Sequence, residues 1–195
     1  MQFEIANLYH IYNRGNNKQR IFFKADNYQY FLEKINRYIK PNSDILAWCL
    51  MPNHFHFLIH ANEASVKIVK EFPIKINALT EGFRLLLSSY SQGINKQEDR
   101  TGNLFQQKTR FINIAEGSEG YGYTAFQYIH QNPYMAGLVV QHEDWEFSSY
   151  REYAGLSKAS YCNKELAFSL FDLNEQNFQQ SANTTLREDD LKKIF

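Results

Sequence analysis

Two histidines one residue apart, His54 and His56, lie in a segment of alternating polar and apolar residues (HFHFLIH, 54–60). Tyr128 and Asn132 stand four residues apart just before Pro133. Side chains along a strand alternate faces, so two imidazoles at i and i+2 project from one face with backbones ~6.6 Å apart, close enough to converge on one cation. Phe55, Phe57 and Ile59 then turn to the opposite face and anchor the strand. His60 shares the histidine face but lies ~13 Å beyond His56, outside the reach of one metal. On a helix, four residues make one turn, which sets Tyr128 beside Asn132, with Gln131 adjacent. A phenol is a covalent nucleophile for phosphorus once a metal or polar group assists it, and the amide oxygen of Asn132 can complete a two-histidine site. Each piece also has a plain structural reading. A lone His-x-His arises by chance, and in a chain with 13 tyrosines Tyr128 can be a half-buried helix aromatic and Asn132 a cap. Tyr123 and Gln127 form a competing tyrosine and amide pair one turn earlier.

The elements that would position these groups are legible from periodicity. Leu8–Arg14 alternates and runs into Gly15, Asn16 and Asn17, giving a first strand and a loop. Asp26 is placed to cap a helix with Tyr30, Phe31, Ile35 and Ile39 at helical spacing, stopped by Pro41 and Asn42. Asp44–Met51 is the near-continuous apolar run of a strand covered on both faces, and Pro52 and Asn53 turn the chain into His54–His60. Ser65 to about Ile94 reads as a helix broken or kinked at Pro73, with Leu79, Phe83, Leu86, Leu87 and Tyr90 as its apolar stripe. Leu104–Ile114 reads as a fourth strand. A helix over about 123–132 is expected to stop there, because the residue before a proline is pushed from helical dihedrals. The order βαββαβ plus a helix predicts an α+β, ferredoxin-like fold: a four-stranded antiparallel sheet with helices on one face and a C-terminal helical extension. The core domain is expected over residues 1–150 and the extension over 151–195, whose Gln-, Asn- and Thr-rich part (174–185) is expected to be poorly ordered.

Charge gives the first argument about partners. The 195 residues carry 21 basic and 21 acidic side chains, which at face value argues against nucleic acid. Divided after Ala115, however, the first part holds 15 Lys and Arg against 9 Asp and Glu, and the remainder 6 against 12. The neutral total is an average of +6 and −6. No apolar run approaches the roughly 18 residues of a membrane helix, and the amino terminus lacks a signal-peptide pattern, so a soluble, cytoplasmic protein without a membrane partner is expected. Two distant cysteines, Cys49 and Cys162, make neither a disulfide framework nor a zinc spacing.

Taken together, the motifs resemble those of the HUH single-tyrosine transposases, in particular the REP-associated tyrosine transposases. The resemblance rests on His10-Ile-Tyr-Asn-Arg14-Gly15 with Arg20-Ile-Phe22, Trp48-Cys-Leu-Met-Pro-Asn-His54-Phe-His56, Gly102-Asn-Leu-Phe105 through Arg110-Phe111, Tyr128-Ile-His-Gln-Asn132-Pro133, and Trp145 through Tyr150, in that order. It covers about residues 8–153. The resemblance implies a metal-dependent single-stranded DNA endonuclease and strand transferase, with His54, His56 and Asn132 holding Mg2+ or Mn2+ and Tyr128 as the nucleophile that forms a 5′-phosphotyrosine. It implies as partner a single-stranded DNA hairpin of the repetitive palindromic type, acted on by a monomer or homodimer. Arg14, Lys18, Arg20, Lys108 and Arg110 are candidate phosphate contacts, and Phe105 a candidate platform for an unpaired base. After Pro133 the family continues with a small aliphatic residue and an arginine, whereas this chain has Tyr134-Met135-Ala136-Gly137. Competing readings are a domesticated hairpin-binding protein that no longer cuts, a replication-initiator-type nickase, and a metal hydrolase on a barrel or cupin-like sheet. The chain is short for a typical ~250-residue (β/α)8 barrel, and its long middle helix fits a jelly roll poorly.

Overall fold

The structure, a computed structural model, describes residues 2–114, 120–184 and 186. Strands β1 (Leu8–Arg14), β2 (Asp44–Met51), β3 (His54–His60) and β6 (Arg110–Asn113) form one sheet in the order β2-β3-β1-β6. All its pairings are antiparallel. A hairpin of β4 (Ile68–Lys70) and β5 (Ile76–Asn77) lies apart from it. The helices are α1 (Ala25–Tyr38), α2 (Glu63–Val66), α3 (Ala78–Gln97), α4 (Tyr121–Met135), α5 (Tyr150–Tyr153), α6 (Lys164–Phe171) and α7 (Phe178–Ala182). The ferredoxin-like sheet expected from the sequence is present, with the first three strands at the expected bounds.

Strand alternation divides the molecule into two layers around the sheet. Ile11, Phe55 and Phe57 point toward α1 and α3, where Phe31 meets Phe55 at 5.4 Å and Phe83 meets Phe57 at 5.9 Å between ring centroids. Residues of the other parity, among them His10, Tyr12, His54 and His56, face α4, whose Tyr128 ring lies 5.4 Å from His56. The register Leu8↔His60 through Arg14↔His54 sets Tyr12 directly opposite His56 and brings Arg14 and His54 to one end of the sheet.

Several expectations are corrected. Asp26 does not cap α1; it lies in the first turn, and the Asn27 carboxamide oxygen accepts the backbone N–H groups of Phe23 and Lys24. The single helix expected from Ser65 begins only at Ala78, where the Asn77 side chain accepts the N–H of Thr80 at 2.9 Å; the residues before it form α2 and the β4–β5 hairpin. The fourth sheet strand is shorter than Leu104–Ile114. Asn13 Nδ2 donates to the Gln106 carbonyl and the Thr109 hydroxyl, holding 106–109 off the ladder, so regular pairing starts at Arg110. Helix α4 runs through Pro133, which removes one helical N–H close to the end. Its stop is set by Gly137, at φ 67°, with Gly137 N–H donating to Tyr134 and Leu138 N–H to Pro133, the paired bonds of a Schellman motif.

Beyond Trp145 the chain runs along the outer edge of β2. Leu50 N–H donates to Phe147, Ser149 N–H to Trp48 and Asn163 N–H to Ile45, at 2.8–2.9 Å. The Trp48 indole donates to Glu152 and the Tyr153 hydroxyl to the Leu46 carbonyl. Within the segment expected to be poorly ordered, the described residues include α7, with Phe178 and Ala182 in the main core; Thr185 and residues 187–195 lie outside the described residues. Among the described residues no helix is long and apolar enough to cross a membrane.

Candidate active site

Strand β3 is pinned in the core by Phe55, Phe57 and Ile59, each fully buried, which holds His54 and His56 side by side on the opposite face. Their rings are 5.0 Å apart and nearly perpendicular. The close approach of the β1–α1 loop fixes the neighbouring Arg14: a Cβ on Gly15 would lie 2.2 Å from the Gln19 carbonyl oxygen, while Gly15 N–H donates to Asn53 and Asn16 N–H to Leu104. Helix α4 crosses this face and brings Tyr128 and Asn132, one turn apart, over the histidines. A cavity of about 440 Å³ results, lined by Tyr12, Asn13, Arg14, His54, His56, Gln106, Lys108, Arg110, Tyr128 and Asn132. Three of those side chains are cationic and none is a carboxylate.

Hydrogen bonds fix how the imidazoles present themselves. His54 Nδ1 lies 2.6 Å from Asn53 Oδ1, an acceptor, so Nδ1 carries the proton and Nε2 keeps its lone pair. Burial, with Arg14 alongside, lowers the His54 pKa to about 4; the Asn132 amide pulls weakly the other way. His56 is held well below the usual histidine range, first by burial and then by His10 and His54. Both rings are therefore neutral near pH 7, the form that ligates metal. Burial pushes the Tyr128 phenol up, while Asn132 and Arg14 favour its ionised form. The phenol stays protonated at neutral pH and needs help to attack.

The donor set fits a divalent cation. Two neutral imidazoles and a carboxamide line one cavity, with the Asn132 amide placed to interact with both His54 and the Tyr128 phenol. No group of three His, Cys, Asp or Glu suited to a metal occurs among the described residues, and the carboxamide of Asn132 is a further oxygen donor lining the cavity with the two histidines. The amide oxygen, with water filling the other positions, suits Mg2+ or Mn2+, and a histidine pair also suits zinc or nickel.

The remaining sequence candidates divide. Arg14, Lys108 and Arg110 line the cavity, and Arg14 Nε is buried with no partner. Lys18 and Arg20 are exposed and do not line it. Phe105 is 7% exposed and packs against Phe55 and Tyr90, so little of its ring is open to a base. The competing Tyr123 turns away from the histidines, its hydroxyl 2.6 Å from Ser181 Oγ, and Gln127 bonds the same serine. His60 sits at the far end of β3 beside Asp44. Sequence reasoning gave no role to His10, fully buried with Nε2 2.9 Å from His56 Nδ1, although it stands two residues before Tyr12 on the same face. His130 is structural, bonded to Ser149 Oγ at 2.8 Å among Phe126, Tyr153 and Phe178.

No family model and no curated protein matches the sequence. Among solved structures, the chain is similar to a REP-associated tyrosine transposase bound to a REP hairpin, with a TM-score of 0.58 over 83% of this chain and 86% of that one, at 16% identity. The fold is that of the tyrosine transposase. The transposase-like sheet and α4 here place Tyr128 over the histidines of its own chain. Just after Pro133, Tyr134 and Met135 are about half exposed and carry no charge.

Proposed function

We propose that the protein is a divalent-metal-dependent single-stranded DNA endonuclease and strand transferase that acts at hairpin elements through Tyr128. The observation that carries this reading is the one cavity in which Tyr128, His54, His56 and Asn132 meet Arg14, Lys108 and Arg110 with no acidic residue among them. A hairpin partner is supported by the fold shared with a transposase that binds a REP hairpin.

His54, His56 and Asn132 would hold Mg2+ or Mn2+, which supplies charge neutralisation at a non-bridging phosphate oxygen. Arg14, Lys108 and Arg110 bind the strand through its phosphates and orient the scissile one toward α4. The Tyr128 oxygen attacks phosphorus; the new P–O bond forms as the bond to the 3′ oxygen breaks. The phenolic proton is lost, and the departing 3′ oxygen gains one. The products are a 5′-phosphotyrosine and a free 3′-hydroxyl. Because the phosphodiester energy is kept in the tyrosyl ester, a different 3′-hydroxyl can reverse the step and join a new strand without a nucleotide cofactor. Arg14 and Asn132, which favour the ionised phenol, promote the attack.

The test is incubation with end-labelled single-stranded hairpin DNA and Mn2+, followed by denaturing electrophoresis. A covalent adduct is expected from the native protein and from Tyr123→Phe, abolished by chelator and by Tyr128→Phe. An undiminished adduct from Tyr128→Phe overturns the nucleophile. Hairpin binding with no adduct under any divalent metal would favour a protein that binds without cutting.

A further inference from the structure

His10 has no place in the chemistry above, yet its imidazole is fully buried on β1, facing the site from beneath. Its Nε2 lies 2.9 Å from His56 Nδ1, and the ring centroids are 5.1 Å apart, the separation of two imidazoles that meet nitrogen to nitrogen along their edges. Its other nitrogen, Nδ1, which carries the ring's own proton whenever Nε2 accepts, has no hydrogen-bond partner among the described residues, so His56 is the polar contact there that offsets burying this ring. Tyr12 packs against both rings, at 5.0 Å from His10 and 5.4 Å from His56, and prevents either from swinging away.

Only one proton fits between the two nitrogens. If His56 Nδ1 donates it, His56 Nε2 keeps a lone pair for a ligand; if His10 donates it, His56 Nε2 carries the hydrogen and cannot ligate. His54 has its tautomer set by Asn53, and His10 occupies the equivalent position behind His56.

We propose that His10 is a positioning residue that accepts the Nδ1 proton of His56 and thereby commits the His56 Nε2 lone pair to a divalent cation. This rests on the metal site proposed above. A buried aromatic kept only for packing would leave the tautomer of His56 and its affinity for metal unaffected. Partners of this kind behind a ligating histidine change metal affinity by roughly 10- to 100-fold when removed.

Two measurements decide it. Long-range proton–nitrogen correlation spectra of 15N-histidine-labelled protein at neutral pH, without metal and with Mg2+, are expected to show His56 protonated at Nδ1 and bare at Nε2; the Nε2-protonated form in both conditions overturns the proposal. Calorimetric titration with Mn2+ is expected to give roughly 10- to 100-fold weaker binding for His10→Leu, and binding within a few-fold of native for His10→Gln, whose amide oxygen can accept the same proton. Native affinity in His10→Leu overturns the proposal, as does an equal loss in both variants when both unfold at the native temperature. If the native protein takes up no Mn2+, the metal reading fails by itself, and the spectrum without metal still decides for or against His10 as acceptor.

Discussion

Acid should unfold this protein steeply, and the magnitude follows from its histidines. His10 and His130 have pKa values lowered to about 3, His54 to about 4, and His56 lies well below its ordinary value, each chiefly because burial penalises the charged ring. In the unfolded chain these groups return to about 6.5. A histidine whose folded pKa is depressed costs nothing above pH 7, where both states are neutral. As pH falls through 6.5 the unfolded chain binds a proton that the folded one refuses, and stability is lost. Between pH 7.5 and 5.5 the unfolded ring goes from about one-tenth to about ten-elevenths protonated, worth about 1.3 kcal/mol per histidine, or about 5 kcal/mol for four. Total stabilities of domains run to about 5–15 kcal/mol, so this is a third of the fold or more. Glu152, whose carboxyl burial pushes up, opposes the trend but is a single group. Urea unfolding at pH 7.5, 6.5 and 5.5, in metal-free buffer, measures it. A free energy that changes by less than about 1 kcal/mol across that range would refute the claim that the four rings are held neutral, and with it the presentation of His54 and His56 as ready ligands.

Phe105→Ala should cost about 3–5 kcal/mol, as for other buried phenylalanines, and lower the melting temperature by roughly 6–20 °C; a change within about 0.5 kcal/mol would return Phe105 to the surface. Lys108→Ala and Arg110→Ala should each weaken hairpin binding and make the slope of log affinity against log salt shallower by about 0.7–0.9, whereas Lys18→Ala should leave the slope unchanged; fluorescence anisotropy at several salt concentrations reads both. Gly15→Ala should destabilise the protein by about 1–3 kcal/mol, because the added methyl meets the Gln19 carbonyl, and should impair adduct formation through the displaced Arg14; a native melting temperature would show that the loop yields freely.

Local periodicity was enough where one face of an element settles its role. β1, β2 and β3 start and stop where alternation and the Pro52 and Asn53 turn place them, and His54 and His56 share a face because parity leaves no other choice. Tyr128 over Tyr123 was a choice between two identical spacings. Pro133 directly after Asn132, as in the resembled motif, favours Tyr128, and a tertiary contact adds to it: Ser181, far along the chain, bonds Tyr123 and Gln127 on another side of α4. The burial of Phe105 and the short fourth strand have a similar origin, since Gly15 bridges Phe105 and the Asn13 side chain diverts the residues after it, and neither contact leaves a local pattern. His10 was visible as a histidine on the correct parity, but its partner is set by the β1–β3 register, which periodicity does not supply. Pro133 misled because a proline near a helix terminus removes little, and the stop signal was Gly137.

The seam along β2 bears on what can be separated from what. Strand β2 is buried on both faces, and its outer rim is hydrogen-bonded by Phe147, Ser149 and Asn163. A protein ended at Tyr150 would strip part of that rim, take away Glu152 from the Trp48 indole, and expose the backbone of an apolar strand, a template for edge-to-edge aggregation. On its inner side β2 pairs with β3, Cys49 opposite His56 and Met51 opposite His54. Whatever loosens the outer rim therefore reaches the two imidazoles through a single strand. The residues after 150 are the selvedge of the cloth from which the site is cut, and a peptide or protease that frees them would be expected to silence the site without touching it.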